Sequence, residues 1–205
     1  MITHPMKRYP KLLWIISLAA GVAGCASAPS RFYTLVSTAK ASGAPLADCA
    51  VVVGPVFLPS LFDRPQFVAV TSPNRVEFDE FNRWAAPLSE IIACVVGDDL
   101  GKLLGTTRVT SAPLPGFGPA YYVAIRVERF EFVRPTGTNS GVALVDALWT
   151  VRTPADKNLA SGRTLAREPV PDGATDALVA AYSRSLAKVS GDIAAAIRPP
   201  PSENK

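Results

Sequence analysis

Two Ser-x-x-Lys sequences are the side-chain pairs in this chain that could support covalent chemistry without a histidine. They are Ser37 to Lys40 and Ser185 to Lys188, and a serine activated by a lysine is one route to acyl transfer. The first pair lies in a predicted linker and the second in the middle of a predicted helix. The Ser-Asp-Asn and Lys-Thr-Gly sequences that accompany such serines in known enzymes are absent. We therefore predict no catalytic residue here.

Neighbouring carboxylates offer a second kind of chemistry, acid and base catalysis or cation binding. They occur as Asp79-Glu80 and as Asp98-Asp99. Adjacent side chains point in different directions in a helix and in a strand, so neither pair presents two oxygen ligands to one substrate. We predict that both pairs are solvent-exposed surface.

The only histidine of the chain, His4, lies in an N-terminal stretch that has the order of an export signal. Three basic residues precede an apolar run over residues 12–23, and Gly24-Cys25 follow. Such an order is typical of a removable signal, and 13 residues from Leu12 to Gly24 are too few for the roughly 20 that span a bilayer. The mature chain would therefore contain no imidazole, which excludes Ser-His-Asp and Cys-His catalysis and any His-ligated metal.

A small residue directly before a cysteine resembles the lipobox of bacterial lipoproteins. By that resemblance residues 1–24 are a lipoprotein signal peptide, Cys25 is acylated, and residues 25–31 are a tether. The alternative is an ordinary secretory signal with an incidental cysteine. Because Ala26 and not aspartate follows Cys25, the resemblance implies the outer membrane, on its periplasmic face, with the inner membrane as the other possibility. Acyl chains contribute about 0.8 kcal/mol per buried CH₂, which is enough to anchor a folded domain.

The charge of the mature chain argues against a nucleic-acid partner. Removing Lys7, Arg8 and Lys11 from the 21 basic residues leaves 18, against 17 acidic ones. The high calculated pI of 9.1 thus belongs largely to the signal. The 181 residues left from 205 suffice for one domain with its own core.

Cys49 and Cys94 are the other two cysteines of the chain. In an oxidising compartment they could form one disulfide, which in the chain-entropy model contributes roughly 4 kcal/mol. The alternative is two buried free thiols that act as small hydrophobic residues. Two cysteines without histidine do not make a four-ligand zinc site, so we predict neither metal nor cofactor.

Apolar periodicity predicts a single α/β domain over residues 32–197, in which two amphipathic helices pack on a mixed, mostly antiparallel sheet. A disordered tail is expected over residues 198–205. The helices are predicted over 88–104 and 175–197, and the first is expected to be a crossover between parallel strands. Strands are predicted at 32–36, 50–58, 67–71, 75–78, 107–111, 121–132, 142–152 and 159–167. A change of parity near Glu128-Arg129 predicts a β-bulge.

Two sequence stretches carry a family resemblance. Residues 58–68, LPSLFDRPQFV, and residues 81–88, FNRWAAPL, resemble the two signatures of the ABC-type transport auxiliary lipoproteins (PqiC-like). The sequence FYTL that begins at Phe32 is also similar to the start of that family's domain.

The resemblance implies a non-enzymatic part of an envelope lipid-transport system. The implied partners are an inner-membrane protein with mammalian-cell-entry (MCE) domains and its ABC permease complex, while acylated Cys25 holds outer-membrane lipid. Arg, Gln and Trp are residue types that suit interfaces, so the candidate partner-binding residues are Asp63, Arg64, Gln66, Arg83 and Trp84. The alternative for Arg64 and Trp84 is a structural role, through core packing and a salt link to Asp63 or Asp79.

Three other interpretations stay open at this stage. The domain could carry lipid directly, with apolar side chains lining a cavity instead of filling a core. Less favoured is an envelope hydrolase that uses carboxylates or a Ser-Lys pair. The chain could also form a homo-oligomer, whose stoichiometry the sequence does not determine.

Overall fold

A mixed sheet of eight strands carries two helices on one of its faces. The structure is a computed structural model and describes residues 29–46, 48–112, 117–118, 120–153, 155 and 157–198. The predicted signal peptide, Cys25 and residues 199–205 lie outside the described residues. The strands are β1 (Arg31–Tyr33), β2 (Val51–Phe57), β3 (Gln66–Ser72), β4 (Arg75–Trp84), β5 (Val109–Thr110), β6 (Tyr121–Val133), β7 (Gly141–Arg152) and β8 (Asn158–Val170). The helices are α1 (Leu88–Leu104), between β4 and β5, and α2 (Thr175–Ile197), after β8.

Strand β6 organises the sheet because it pairs along both of its edges. Antiparallel β7 follows one edge for the whole length of β6, and β8 pairs with β7 in turn. The other edge is shared by parallel β2, at the first half of β6, and parallel β3, which pairs at Phe132 and Val133. Residues 58–65 therefore interrupt what is almost one continuous strand beside β6. The antiparallel β3–β4 hairpin then extends the sheet to its edge at β1.

Helix α1 has the bounds that its apolar spacing predicts. Pro87 precedes its first turn, and Gly105 ends it with a left-handed φ of 66°. A Cβ at Gly105 would lie 2.7 Å from the Cβ of Pro45, so a side chain there is excluded by contact as well as by conformation. The connection from β2 through α1 to β5 is the predicted crossover, since β2 and β5 are parallel.

The β6–β8 meander and α2 are confirmed in type and order. The register of β6 on β7 shifts between Val127 and Arg129, which is the predicted bulge. The bulge returns Phe130 to the helix-facing side, where its ring stacks on Tyr182 of α2 at 4.2 Å between centroids. Burial raises the pKa of Tyr182 well above its usual value, and the nearby charge of Glu131 adds to that rise.

Polar contacts also attach α2 to the sheet. Lys188 and Arg184 both contact Glu168 of β8. Partial burial raises the pKa of Glu168, but hydrogen bonds and charge from Lys188 and Arg184 outweigh burial, so the net pKa is lowered. The carboxylate is therefore ionised at neutral pH and holds both cations of α2.

The chain differs from prediction where the first strand ends. We predicted a strand over residues 32–36, but β1 ends at Tyr33 and includes Arg31, which we had placed in the tether. After β1 the chain leaves the sheet because side chains on both helices offer it hydrogen bonds. The backbone N–H of Val36 donates to Ser183 Oγ of α2, and that of Ala39 donates to Asp99 Oδ1 of α1.

Arg198, which we assigned to the start of the tail, contributes to the fold. Its guanidinium donates to the carbonyl oxygens of Ser42, Ala44 and Leu103, which joins the N-terminal segment to the end of α1. Residues 199–205 lie outside the described residues, so disorder there stays a prediction.

Candidate functional site

The two sequence signatures meet at the β1–β4 edge of the sheet. The parallel register places Phe32 beside Arg83 and Tyr33 beside Trp84, while the loop of residues 58–65 leads into β3 next to them. The backbone N–H of Trp84 donates to the carbonyl of Pro65, which fixes this loop against the end of β4. We call Phe32, Asp63, Arg64, Gln66 and Arg83 the edge site.

Trp84 is a core residue and does not belong to the exposed part of the edge site. Only 5% of its surface is exposed. Its ring lies 4.1 Å from Phe67, 6.0 Å from Phe130 and 6.2 Å from Tyr182, measured between centroids. Such aromatic packing is the structural alternative that the sequence left open. Trp84 therefore positions its neighbours and does not present its ring to a partner.

Arg64 is held by an aromatic ring and not by the salt link expected in its structural alternative. Its guanidinium carbon lies 4.0 Å from the centroid of Phe78, which is a cation–π contact. No ion pair of Arg64 with Asp63 or Asp79 occurs among the described residues. Its buried Nε has no hydrogen-bond acceptor. No hydrogen bond of its two Nη atoms is seen among the described residues either, and these are the donors left for another molecule.

Asp79 does not bind Arg64 because its carboxylate serves the backbone of its own strand. It accepts hydrogen bonds from the N–H groups of Phe81 and Asn82 and from Asn82 Nδ2. These bonds stabilise the irregularity at residues 80–82, where the register of β3 on β4 shifts between Gln66 and Phe67. We predicted that the pair Asp79-Glu80 is solvent-exposed surface, but the carboxylate of Asp79 has a structural role.

Gln66 and Arg83 form the polar part of the edge site. They are cross-strand neighbours, and both reach Glu80, at 3.4 Å from Gln66 Nε2 and 3.5 Å from Arg83 Nη2. These two contacts are long and solvent-exposed, so they contribute little to stability. Arg83 Nε also donates to the carbonyl oxygen of Glu80 at 3.0 Å, and this bond is exposed as well. Weakly held amide and guanidinium groups on a rigid strand can exchange these contacts for those of a partner.

A small cavity lies directly beside these groups. Its volume is about 380 Å³, and it is lined by Asp63, Arg64, Pro65, Trp84, Ala86, Pro87 and Leu88. The lining is mostly apolar and comes from both signatures. It can receive one apolar side chain of a partner while Arg64 and Asp63 contact polar groups at its rim.

Asp99 is a buried polar residue that sequence reasoning placed wrongly. We predicted surface for it, but it is 0% exposed, because the N-terminal segment and α2 cover that side of α1. Its carboxylate accepts from Ser37 Oγ at 2.6 Å, Ala39 N at 3.1 Å and Ser190 Oγ at 3.2 Å. Its position three and four residues after buried Val96 and Val95 was the available signal. Asp98 is exposed as expected.

Neither Ser-x-x-Lys pair forms a catalytic dyad. Ser185 is buried in α2 and its Oγ has no partner, while Lys188 is ion-paired with Glu168. Ser37 contacts Lys102 at 2.8 Å and not Lys40. A charged, ion-paired ammonium does not accept a proton from serine.

Cys49 and Cys94 are both free thiols in the structure, and Cys94 is exposed rather than buried. Cys49 lies next to the end of α1, where Thr106 Oγ1 donates to its carbonyl. Cys94 lies about 15 Å earlier along α1, from a rise of 1.5 Å per residue. A disulfide requires Cα atoms within roughly 7 Å, which this arrangement does not provide.

Neither a metal site nor a membrane span is seen in the part of the chain that the structure describes. No three His, Cys, Asp or Glu residues are grouped so that they could hold an ion. Among the same residues, neither α1 nor α2 combines the length and hydropathy that a bilayer crossing requires.

The fold is a single α/β domain in which two helices cover one face of a mixed eight-stranded sheet. Residues 33–194 match the family model of the ABC-type transport auxiliary lipoprotein component. The chain belongs to this family, and it is thus an auxiliary lipoprotein component of ABC-type transport.

Solved structures share the fold at low sequence identity. Protein XCC0632 from Xanthomonas campestris superposes with a TM-score of 0.66 at 18% identity, covering 80% of this chain and 92% of its own. An uncharacterised protein superposes with a TM-score of 0.63 at 18% identity, covering 83% and 100%. PelC from Paraburkholderia phytofirmans, a dodecamer, has a TM-score of 0.43 at 15% identity over 72% and 90%, which is too low to bear on this chain. No curated protein sequence matches significantly.

Proposed function

We propose that this protein is an outer-membrane lipoprotein, anchored through Cys25, that binds the MCE-domain component of an envelope lipid-transport system and performs no catalysis itself. Its role is to hold that component, and the ABC permease behind it, at the periplasmic face of the outer membrane. The contact is made by the edge site.

The register of β1 on β4 carries this proposal. Arg31 is the first residue of the sheet, and only five residues, 26–30, separate it from Cys25, which makes six residue steps. At about 3.3 Å per residue the tether reaches roughly 20 Å. The edge site therefore lies close to the anchor, where a protein that spans the periplasm would meet the domain.

Two features favour a binding module over the alternatives. The space between helices and sheet is filled by side chains such as Val53, Ile92 and Ile193, which are 0% exposed, so a lipid carrier has no chamber there. Ser185 is buried in α2, and Lys188 is ion-paired with Glu168. Ser37 contacts Lys102 and not Lys40. Neither serine is therefore paired with the lysine of its own Ser-x-x-Lys sequence, which argues against a Ser-Lys hydrolase.

The proposal is tested by purification of the full chain, tagged at its C-terminus, from detergent-solubilised envelopes of its own host. The MCE-domain protein is expected to co-purify with the wild-type chain. Arg83→Glu is expected to reduce that recovery at least ten-fold, because it introduces repulsion at the edge site.

Arg75→Glu is the matched control, since Arg75 is an exposed arginine at the opposite end of the same strand. Equal recovery of the partner with Arg83→Glu and with Arg75→Glu would show that the edge site is not the contact. Recovery of no MCE-domain protein with any form would reject the proposed partner. Mass spectrometry of the purified chain tests the anchor, because an acylated Cys25 must be its first residue.

A further inference from the structure

The two helices pack on one face of the sheet only, and on the opposite face of β2, β6, β7 and β8 the described chain leaves several large side chains exposed. We call this surface the open face. It begins at β2, where Phe57 pairs with Arg126, and continues through Leu148 to Arg163. Arginine and apolar side chains thus alternate across four strands.

Large apolar side chains are unusually exposed on this surface. Phe57 is 57% exposed, Leu165 50%, Tyr122 41% and Leu148 40%. They are spread over the whole face, so no single loop or helix of the described chain could shield them together. Exposed apolar residues grouped on one face mark an interaction surface.

The charge of the open face is predominantly positive. Successive side chains of a strand point to opposite faces of the sheet, and this alternation places five arginines and three acidic residues on the open face. The excess is therefore two positive charges. The arginines are Arg126, Arg129, Arg152, Arg163 and Arg167, and the acids are Glu128, Glu131 and Asp146. The two buried acids already have partners, since Arg129 contacts Glu131 and Arg163 contacts Asp146. The guanidinium of Arg163 binds with both Nε and Nη2, at 2.8 and 2.5 Å.

Arg126 and Arg167 are the two arginines of this face that we assign to an external anion. Among the described residues, no acidic side chain contacts Arg126 or Arg167. Arg126 instead lies 5.9 Å from the ring of Phe57. A guanidinium suits phosphate groups because it offers several donors in a planar fork. Neighbouring aromatic and leucine side chains suit the boundary between headgroups and acyl chains.

A second copy of this chain related by a two-fold axis is a poor occupant of the open face. A two-fold contact would place the same surface on both partners, so the unpaired arginines would face each other. A phosphate-rich, partly apolar surface satisfies the arginines and the leucines at once. The membrane to which the chain is anchored offers such a surface.

Because the sheet is twisted, the open face can lie on a membrane while the edge site remains accessible to a protein partner. Neighbouring strands rotate by roughly 20°, so the five steps from β8 through β7, β6, β3 and β4 to β1 accumulate roughly 100°. The edge site then faces sideways when β6–β8 lie flat on a surface. The tether, about 20 Å long, begins at the edge of the same sheet, which permits the flat orientation.

We propose that the open face lies on the anionic phospholipid surface of the membrane that holds the chain, with Arg126 and Arg167 on lipid phosphates and Phe57, Tyr122, Leu148 and Leu165 at the headgroup boundary. This inference rests on the lipid anchor of the proposed function. It assigns the domain a fixed orientation, in which the helices point towards the periplasm.

Fluorescence of the acylated full chain in vesicles tests the orientation. Leu148→Trp places a probe on the open face, and Glu90→Trp places a matched probe on the exposed side of α1. The vesicles contain phosphatidylethanolamine and phosphatidylglycerol at three to one, with or without bromine on the acyl chains. Trp84 and Trp149 also fluoresce, so the emission of the wild-type chain under the same conditions is subtracted. Brominated lipid is then expected to quench the probe at residue 148 at least two-fold and to leave the probe at residue 90 unchanged. Equal quenching of both probes, or of neither, would overturn the proposal.

Charge reversal gives a second variant with its own control. Arg167→Glu is expected to reduce the quenching of the probe at residue 148 in these vesicles by at least half, because it removes attraction to lipid phosphate. Lys40→Glu makes the same change of charge on an exposed residue away from this face and is expected to have no effect. Equal effects of the two reversals would contradict the assigned contact.

Protection of arginines from chemical modification can be measured on the wild-type protein, so the result does not depend on whether a variant folds. Phenylglyoxal modifies exposed arginines, and peptide mass spectrometry locates the modified ones. We expect at least five-fold protection of Arg126 and Arg167 in vesicles relative to detergent, and none of Arg75. Absence of protection with acylated Cys25 present in the mass spectrum overturns the orientation alone. Absence of the acyl chains overturns the anchor as well.

Discussion

Replacement of Asp99 by alanine probes the contact that joins the N-terminal segment to both helices. The carboxylate accepts one hydrogen bond from Ser37, one from Ala39 and one from Ser190. A hydrogen bond to a charged group contributes about 1.5–3 kcal/mol. The three bonds therefore amount to roughly 4–9 kcal/mol in gross terms.

The net loss is smaller than that sum. Removing the carboxylate also removes the cost of burying it, and the part-buried donors Ser37 and Ala39 can bind water instead. We expect Asp99→Ala to lower the free energy of unfolding by about 3 kcal/mol, which is a large part of the 5–15 kcal/mol typical of a domain. For a domain of this size the melting temperature would fall by roughly 6–12 °C.

Urea unfolding followed by circular dichroism measures this difference, with Asp98→Ala as the matched control on the neighbouring exposed carboxylate. Hydrogen exchange adds a local measurement, because the amide of Ala39 is expected to lose protection in Asp99→Ala before the sheet does. If Asp99→Ala and Asp98→Ala unfold at the same urea concentration, the buried network does not stabilise the fold and our reasoning is wrong.

Three further predictions concern a turn, an ion pair and the thiols. Gly105→Ala is expected to lower stability by about 2 kcal/mol, because alanine disfavours the left-handed backbone and its Cβ would meet Pro45; thermal unfolding compared with the open site Gly191→Ala checks this. The hydrogen bond from Arg163 lowers the pKa of Asp146 and outweighs the opposing effect of burial. Because the folded-state pKa lies below the unfolded one, its stabilisation is present at neutral pH and is lost as the pH falls below about 4. The free energy of unfolding in urea should therefore differ less between wild type and Asp146→Asn in acid than at neutral pH. If that difference does not depend on pH, the ion pair with Arg163 is not its cause. Cys94 is expected to react with maleimide at least ten-fold faster than Cys49 at pH 7, since Cys49 is half-buried and burial raises the pKa of its thiol against the opposing charges of Arg108 and Arg198; equal rates by peptide mass spectrometry would contradict the assigned exposures.

Much of the architecture was readable from local patterns. The helices over residues 88–104 and 175–197 follow from apolar spacing, and the bulge near Arg129 follows from a change of parity. These features depend on periodicity within one segment, which the chain carries wherever it folds. The end of β1 and the path of residues 34–39 were less accessible, because they depend on hydrogen bonds that the backbone donates to Ser183 and Asp99, which lie far away in sequence.

The candidate site, like the fold, was predicted only in part from the sequence. Sequence singled out Arg64, Gln66, Arg83 and Trp84 by residue type and by the family signatures, but it did not separate core from surface among them. Packing against Phe67, Phe130 and Tyr182 decides that Trp84 is buried. The stack on Phe78 decides that Arg64 has no acidic partner.

The sequence by itself predicted an export signal before Cys25 and, with it, a mature chain without imidazole, and it indicated the family, since these depend on residue types and short-range order alone. Only the tertiary structure decided that both helices lie on one side of the sheet, that Asp99 is buried and that arginines from three strands share the uncovered side. The physical reason is that burial and charge clustering are sums over residues brought together from distant parts of the chain. No local pattern contains those sums before the chain has folded.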